Sequence, residues 1–282
     1  MKSRKIYCVM ALEPICPDDR FLNQISQIPL VPAARLKYSV KYSIALTFQD
    51  RFKHSSIDEL VEGCCGRENC PICGPFGFWR KGKETPGAAE FSDMTPMFIP
   101  IDTPDGPVWC TSHAIIDVLT CAGLLGEDDL QIRLPLDSLD VQSPMGDGIL
   151  TLSWLPLRVA YSISPLKSSA RDKFLNMGVP REVLDRVVFT SDKVLAHLIR
   201  DNPESYLIHL VDPQTNGITH RLAPLCGMIP QGTIMWFSVG YFRRDGIIDV
   251  VEGGISHLEH IGVGGLTSRE VGRIKLLKSK EV

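Results

Sequence analysis

The sequence lacks the signatures of several large classes of protein. It contains no apolar stretch approaching the roughly 18 residues of a membrane-spanning helix, and its first apolar run, residues 6–12, is also too short for a signal peptide. It carries no nucleophile motif and no dinucleotide-binding glycine fingerprint, which argues against a hydrolytic or redox enzyme. We therefore expect a cytoplasmic protein that does not act at a membrane.

The sequence also lacks a strong excess of either charge. Its 282 residues carry a formal net charge of −3, so a nucleic-acid site would have to be a local basic patch. Hydrophobic residues make up 44% and charged residues 22%, which is ordinary for a chain that forms one large globular domain or two smaller ones. The nine cysteines are an odd number and unevenly spread, which fits reduced thiols in a reducing cytoplasm.

Four of the nine cysteines lie within ten residues. The spacing Cys65-x4-Cys70-x2-Cys73 allows a short backbone knuckle to present several thiolates to a tetrahedral ion, and zinc forms Zn–S bonds of about 2.3 Å. We expect a structural zinc site, with His54, Cys65, Cys70 and Cys73 as ligands and Cys64 as the alternative fourth ligand. The other interpretation is that these cysteines are small buried apolar residues. A deaminase-type zinc site is not indicated, because two serines follow His54 where that signature needs a glutamate.

Hydrophobic periodicity and turn residues predict a mixture of helices and strands. Strands are predicted at residues 5–12, 97–101, 108–111, 205–211, 217–222, 233–242 and 274–277. Helices are predicted from residue 33 onward, after the capping residue Ser112, and over residues 180–187 and 191–200. Residues 149–154 and 157–163 are interpreted as the arms of a projecting β-hairpin, which is broken at Pro156 and followed by a mobile basic segment.

Three groups of residues are candidates for contact with nucleic-acid phosphates. The first lies near the start of the helix at residue 33, where unpaired N–H groups favour an anion. The second alternates with Trp79 and Gly82, which adds a stacking surface, and the third belongs to a glycine-rich segment whose backbone can approach a bound chain closely. The candidates are Arg35, Lys37, Lys41, Arg80, Lys81, Lys83, Ser268, Arg269 and Arg273. Solvated helix faces, exposed loops and tight turns have similar compositions, so both interpretations stay open.

Several short segments, taken in order, resemble one protein family. They read CPIC-x-PFG, then AAEFSD and FIPIDTPDGPVW, then VVFTSD, and finally IGVGGLTSREVGRIKL. Their order and spacing, rather than any single motif, are similar to the backbone subunit of type III, or type III-derived, class 1 CRISPR-Cas effector complexes. That subunit belongs to the repeat-associated mysterious protein (RAMP) superfamily, and the resemblance covers most of the chain.

The resemblance implies an α+β fold with a ferredoxin-like, RRM-like core, in which an antiparallel sheet carries helices on one face. One domain over residues 1–282 would hold a zinc-knuckle insertion at residues 54–90 and a thumb-like β-hairpin insertion at residues 140–180. The implied function is that of a ribonucleoprotein scaffold, whose copies polymerise along a guide RNA (crRNA) and present it for pairing with target RNA. The implied partners are both RNAs, further copies of the subunit, other CRISPR effector subunits and a separate nuclease.

The same resemblance names a candidate catalytic residue. Residues 28–46 resemble the family's stretch Pro-x-Ile-Pro-Gly-Ser-Ser and its basic helix, with Pro32 and Lys37 matching and residues 33–35 differing. In active members an aspartate before this stretch supports metal-dependent cleavage of target RNA, and the family spacing falls one residue before Asp18. Asp18, acting with Mg²⁺, is the candidate, but PICPDD replaces the usual glycine-rich approach, which favours binding over catalysis. A further alternative is a guide-independent, zinc-stabilised RNA-binding protein.

Overall fold

One large mixed β-sheet dominates the part of the chain that the structure describes. The computed structural model describes residues 3–17, 28–51, 56–62, 64–80, 82–200, 205–211, 218–224, 228–242, 246–265 and 271–281. The strands are β1 (Ser3–Ala11), β2 (Gly77–Arg80), β3 (Lys83–Pro86), β4 (Ala89–Phe91), β5 (Thr95–Ile101), β6 (Val108–Ser112), β7 (Val141–Gln142), β8 (Gly148–Leu152), β9 (Leu155–Tyr161), β10 (Val187–Thr190), β11 (Ser205–Val211), β12 (Ile218–Pro224), β13 (Ile234–Tyr241) and β14 (Ile274–Glu281).

The helices are short, apart from one of 15 residues near the start of the chain. They are α1 (Ala33–Thr47), α2 (Ile57–Glu62), α3 (Cys73–Phe76), α4 (His113–Cys121), α5 (Ser168–Asn176), α6 (Arg181–Asp185), α7 (Asp192–Arg200), α8 (Ile247–Ser256) and α9 (Leu258–Ile261). Single 3₁₀ turns occupy Gln49–Arg51 and Glu127–Asp129. Among the described residues, no helix combines the length and the apolar character that crossing a membrane requires.

The first half of the sheet is a split βαββαβ unit. β1 lies between β14 and β13, and β13 pairs in turn with β4 and β5, with every pair antiparallel. In chain order the unit runs β1, α1, β4 with β5, β13, α8 and β14, which gives the strand order 4-1-3-2 of a ferredoxin-like fold. Tyr7 and Phe237 face each other in the β1–β13 register, and their rings stack with centroids 4.9 Å apart. The expected α+β, ferredoxin-like core is therefore confirmed.

Both faces of this sheet are buried, whereas the resemblance implied helices on one face. Alternate residues of a strand point to opposite faces, and in β1 Ile6 and Cys8 enter one hydrophobic core while Tyr7 and Val9 enter the other. The core around Tyr7 includes residues of α1 and α8, and the core around Ile6 includes residues of α4, α5, α6 and α7. The second layer of helices belongs to the long segment between β5 and β13, so this insertion covers the face that a minimal ferredoxin-like unit leaves open.

The sheet continues beyond β5 through β6, β10, β7, β9 and β8. The predicted hairpin is present as β8 and β9, but it turns at Ser153, whose φ is 55°, while Pro156 lies within β9 opposite Thr151. β9 also pairs with β7, so the hairpin extends the sheet and does not project from it as predicted for residues 140–180. The segment predicted to be mobile is the ordered helix α5, whose Phe174 is completely buried.

Two other hairpins form separate two-stranded sheets. One joins β2 to β3 and the other joins β11 to β12. Arg80 and Lys83 therefore lie at the tip of the β2–β3 hairpin. α8 has no counterpart among the predicted helices, because Gly253 and Gly254 interrupt its helical pattern.

Helix α4 begins where the sequence predicts but is capped by a different residue. Ser112 precedes the helix and makes no side-chain capping bond. Instead, the Ala114 N–H donates to Asp192 Oδ1 at 2.9 Å. Asp192 is also the first residue of α7, so one carboxylate links the starts of two helices that are far apart in sequence.

Candidate metal centre and nucleic-acid surface

Four cysteine thiols converge where the chain passes from α2 to α3. The Sγ atoms of Cys64, Cys65, Cys70 and Cys73 all lie within 4.8 Å of one another. In a tetrahedral site with Zn–S bonds of about 2.3 Å the sulfurs lie about 3.8 Å apart, so the cluster has the dimensions of a metal site. These four cysteines can therefore hold a metal ion. Cys64, the alternative fourth ligand, belongs to the cluster, and His54 lies outside the described residues.

The backbone conformation of Gly66 explains how two adjacent cysteines join one cluster. Gly66 has a φ of 64°, a left-handed conformation that reverses the chain directly after the cysteine pair. Its N–H donates to Cys73 Sγ at 3.3 Å, and the Ile72 N–H donates to Cys70 Sγ at 3.4 Å. Such N–H donors stabilise negatively charged sulfur and orient it for a cation.

The thiols of the cluster differ in how readily they ionise. Burial raises the pKa of Cys64 and the pKa of Cys73. Burial also opposes ionisation of Cys70, but hydrogen bonds from the Cys73 and Ile72 backbones and from the Cys64 and Cys65 side chains together outweigh it and lower the Cys70 pKa. Cys70 therefore becomes a thiolate more readily than Cys64 or Cys73, and a bound cation would favour the thiolate form of all ligands.

The β2–β3 hairpin is attached directly to this cysteine knuckle. Arg80 Nη1 donates to the Gly66 carbonyl at 3.4 Å, and a Cβ placed on Gly66 would lie 3.5 Å from the Phe78 ring. Arg80 and Lys83 face each other at the tip of the hairpin and are exposed. Two predicted phosphate-contacting residues thus lie beside the predicted metal site.

Helix α1 contributes two more of the predicted basic residues to the same region. Burial lowers the pKa of Lys41; the nearby Cys73 thiol opposes this shift, and the charge of Lys37 adds to it. The influence of Cys73, Cys64 and Cys70 indicates that Lys41 lies near the cysteine cluster, and Lys37 lies one helical turn before it on α1. Lys41 is thus brought near thiols that belong to a different part of the chain.

The N-terminus of α1 is not free to bind a phosphate. The Ala33 N–H donates to Asp93 Oδ1 at 2.7 Å, so a carboxylate of the chain itself occupies this helix terminus. The basic residues of α1 can still attract an RNA phosphate. The Ala33 N–H group, however, already donates its hydrogen bond to Asp93 and does not bind a phosphate as predicted. Asp93 was not among the predicted site residues, because 60 residues separate it from its partner and no local pattern signals the pairing.

The glycine-rich segment approaches the chain's own backbone. Gly265 N–H donates to the Cys16 carbonyl at 2.8 Å, and a Cβ on Gly264 would lie 2.3 Å from the same oxygen. Arg273 pairs with Glu13, with 2.6 Å between Nε and Oε1. Gly264 therefore lies close to residues 14–17 of the same chain, where the sequence predicted the close approach of a bound RNA chain. The guanidinium of Arg273 already forms an ion pair within the chain.

The remaining predicted site residues lie outside the residues that the structure describes. They are Asp18, His54, Lys81, Ser268 and Arg269. Catalysis through Asp18, metal ligation by His54 and RNA contact by the other three therefore stay predictions.

Comparison with solved structures identifies the class of fold. A crystal structure of oligomeric Cmr4 from Pyrococcus furiosus has a TM-score of 0.59 at 15% identity, covering 100% of this chain and 99% of that chain. A crystal structure of Pyrococcus furiosus Cmr4 (Cas7) has a TM-score of 0.60 at 12% identity, with coverage of 99% and 100%. A cryo-EM structure of the type III-B Cmr-beta bound to cognate target RNA contains a chain with a TM-score of 0.59 at 11% identity, with coverage of 97% and 96%.

These matches show that the chain shares an α+β fold with those structures, in agreement with the fold that the resemblance implied. More particularly, the chain has the fold of Cmr4 (Cas7), and the match extends over essentially the whole of both chains. No protein-family model and no curated protein sequence matches this chain. The shared fold is therefore visible in three dimensions where sequence identity is low.

Proposed function

We propose that this chain is a backbone subunit of a CRISPR ribonucleoprotein effector. Several copies bind along one guide RNA and hold it for pairing with target RNA, together with other effector subunits and a separate nuclease. The observation that carries this proposal is the match to Cmr4 over almost the full length of both chains, since Cmr4 is described as oligomeric and a Cmr complex as bound to cognate target RNA. We place the complex in the cytoplasm, where cysteine ligands stay reduced.

We propose that the guide lies along the surface where α1, the cysteine knuckle and the β2–β3 hairpin meet. Lys41 lies near the cysteines, Arg80 donates to the knuckle backbone and faces Lys83, and Arg35 and Lys37 belong to the same helix as Lys41. Such contacts to phosphate and sugar carry no sequence information, so base pairing would supply the specificity. Lys81, Ser268, Arg269 and Arg273 complete the proposed RNA-contacting set.

We propose that the metal is a structural zinc held by Cys64, Cys65, Cys70 and Cys73. A set of four thiolates closes the coordination sphere and leaves no position for a reacting water. Zinc would pin the knuckle that supports the hairpin, as expected of an insertion at residues 54–90. For the thumb-like element, the β11–β12 hairpin is the better assignment, because its two strands pair only with each other in the described sheets.

The proposal is tested by purifying the full-length chain from cells that express its effector genes. We expect an assembly that contains several copies of the chain and short RNAs that share one end, measured by light scattering and sequencing of the extracted RNA. A discrete monomer without RNA of uniform length would contradict the proposal and favour the guide-independent RNA-binding alternative.

A further inference from the structure

The β2–β3 hairpin divides its side chains between two faces. Residues directly opposite each other in an antiparallel pair share a face, and the register sets Trp79 opposite Glu84 and Phe78 opposite Thr85. Phe78 lies toward the knuckle, within reach of Gly66. Trp79 and Glu84 therefore share the face that points away from the knuckle, and the Trp79 side chain is 68% exposed.

The hairpin holds this pair rigidly. A Cβ on Gly87 would lie 2.3 Å from the Pro75 carbonyl oxygen, and the Ala88 N–H donates to the Gly74 carbonyl at 3.0 Å, so the end of β3 is packed tightly on α3. At the tip, Arg80 bonds to the knuckle backbone. A group presented on a rigid support loses little conformational entropy when it binds a partner.

The chemistry of the two side chains fits a nucleobase. An exposed indole stacks on the face of any base, and this stacking tolerates all sequences. A carboxylate beside the ring accepts a hydrogen bond from the exocyclic amine of cytosine or adenine, whereas uracil presents a carbonyl oxygen at the corresponding position. Arg80 and Lys83, the next pair along the hairpin and on its other face, are exposed cations. A protein partner fits less well, because the centre of a protein interface is depleted of charge.

We propose that Trp79 and Glu84 form a base-reading pair for single-stranded RNA, in which Trp79 stacks on one base and Glu84 selects bases that carry an exocyclic amine over uracil. The inference rests on the proposed function, because it assumes that RNA runs past the β2–β3 hairpin. It adds a site of limited base preference beside the surface that is proposed to contact only phosphate and sugar.

The test measures binding of labelled 12-nucleotide oligocytidine and oligouridine to the full-length, metal-loaded protein by fluorescence anisotropy. We expect oligocytidine to bind about 5-fold more tightly than oligouridine. Trp79→Ala should weaken both by about 10-fold, and Trp79→Phe should retain most of the affinity. Glu84→Gln should reduce the preference to less than about 2-fold, because the amide can also donate to uracil.

Two control variants separate a local effect from a general one. Trp154→Ala removes another exposed tryptophan, which is 43% exposed and lies outside the hairpin. Glu90→Gln removes one exposed negative charge from β4. Neither change should alter the affinities or the preference. Circular dichroism and metal content verify that each variant is folded.

The outcomes distinguish this inference from the function on which it rests. If the unmodified protein binds both oligonucleotides and Trp79→Ala leaves both affinities unchanged, the base-reading pair is refuted while the scaffold function stands. The same holds if Glu84→Gln keeps the full preference for cytidine. If the unmodified protein binds no RNA, either alone or as an assembly purified from cells, the proposed function fails together with the inference.

Discussion

At the scale of single residues, Asp129 shows how a buried carboxylate is kept ionised. Asp129 is only 4% exposed and accepts hydrogen bonds from the Lys173 ammonium and from the Gly126 N–H. The Lys173 hydrogen bond, followed by that of Gly126, outweighs burial and lowers the pKa of Asp129 to about 2. The carboxylate thereby links the 3₁₀ turn Glu127–Asp129 to α5. This ion pair is lost when Asp129 is protonated.

We predict that Asp129→Asn destabilises the protein and removes part of its acid sensitivity. The folded-state pKa lies below the ordinary value, so the carboxylate contributes stability above about pH 4 and loses this contribution as the pH falls toward 2. At neutral pH the substitution should cost about 1–3 kcal/mol, measured by urea unfolding.

The exposed neighbour Asp128 provides the control for this prediction. Asp128→Asn changes the same charge one residue away and should shift the unfolding free energy by less than about 0.5 kcal/mol. If the two variants and the unmodified protein lost stability equally between pH 4 and pH 2, the proposed role of the Asp129 pair would be incorrect.

At the scale of elements, the contact between α1 and α8 depends on one glycine. A Cβ on Gly254 would lie 2.6 Å from Ile44 Cγ1 and 3.1 Å from Val40 Cγ1, both on α1. At the adjacent Gly253 a Cβ would meet nothing within 4 Å. The two neighbouring glycines of α8 therefore have different roles. Gly253 has room for a side chain, whereas the missing side chain of Gly254 allows α8 to pack against α1.

We predict opposite effects of alanine at these two positions. Gly254→Ala should cost about 1–3 kcal/mol of unfolding free energy, because the added methyl group forces α8 away from α1. Gly253→Ala should be neutral or stabilise by up to about 1 kcal/mol, because alanine restricts the unfolded chain and favours the helix. Equal effects in urea unfolding would show that helix propensity, and not packing, determines both.

The cysteine knuckle is the second element that permits a direct test. We predict about one zinc ion per chain, and we expect Cys70→Ser or Cys73→Ser to remove it, because each substitution deletes one of four thiolate ligands. Elemental analysis of protein purified without chelator measures the ratio, and chelation should lower the midpoint of thermal unfolding.

Cys121→Ser serves as the control for the metal prediction, since Cys121 is exposed and outside the cluster. It should leave the zinc content unchanged. Substantially less than one zinc per chain in the unmodified protein would contradict the four-cysteine assignment.

At the scale of the whole molecule, two hydrophobic cores lie on opposite faces of the sheet. The core around Tyr7 includes residues of α1, α8 and the knuckle, and it carries the proposed RNA surface on its outside. The core on the other face is built largely from the long insertion between β5 and β13. A change in the insertion can thus affect stability without altering the basic residues of α1 and of the β2–β3 hairpin.

Local sequence patterns determine much of the secondary structure of this protein. The strands β1, β5, β6 and β13 and the helices α1 and α7 follow from runs of apolar residues and from turn residues beside them, because burial selects side chains at the period of each element. The cysteine spacing likewise predicted a metal knuckle, since three ligands close in sequence can meet with little loss of chain entropy.

Only the tertiary structure decided which distant groups meet. Asp93 occupies the start of α1, Asp192 caps α4, and Gly264 approaches the Cys16 backbone, and each of these contacts joins residues that no local periodicity relates. The β8–β9 hairpin was correctly placed in the chain, but its attachment to β7 depends on strand pairing that a single hairpin does not specify. Residue type and spacing set which elements form, whereas long-range packing sets which of their side chains remain available to a partner.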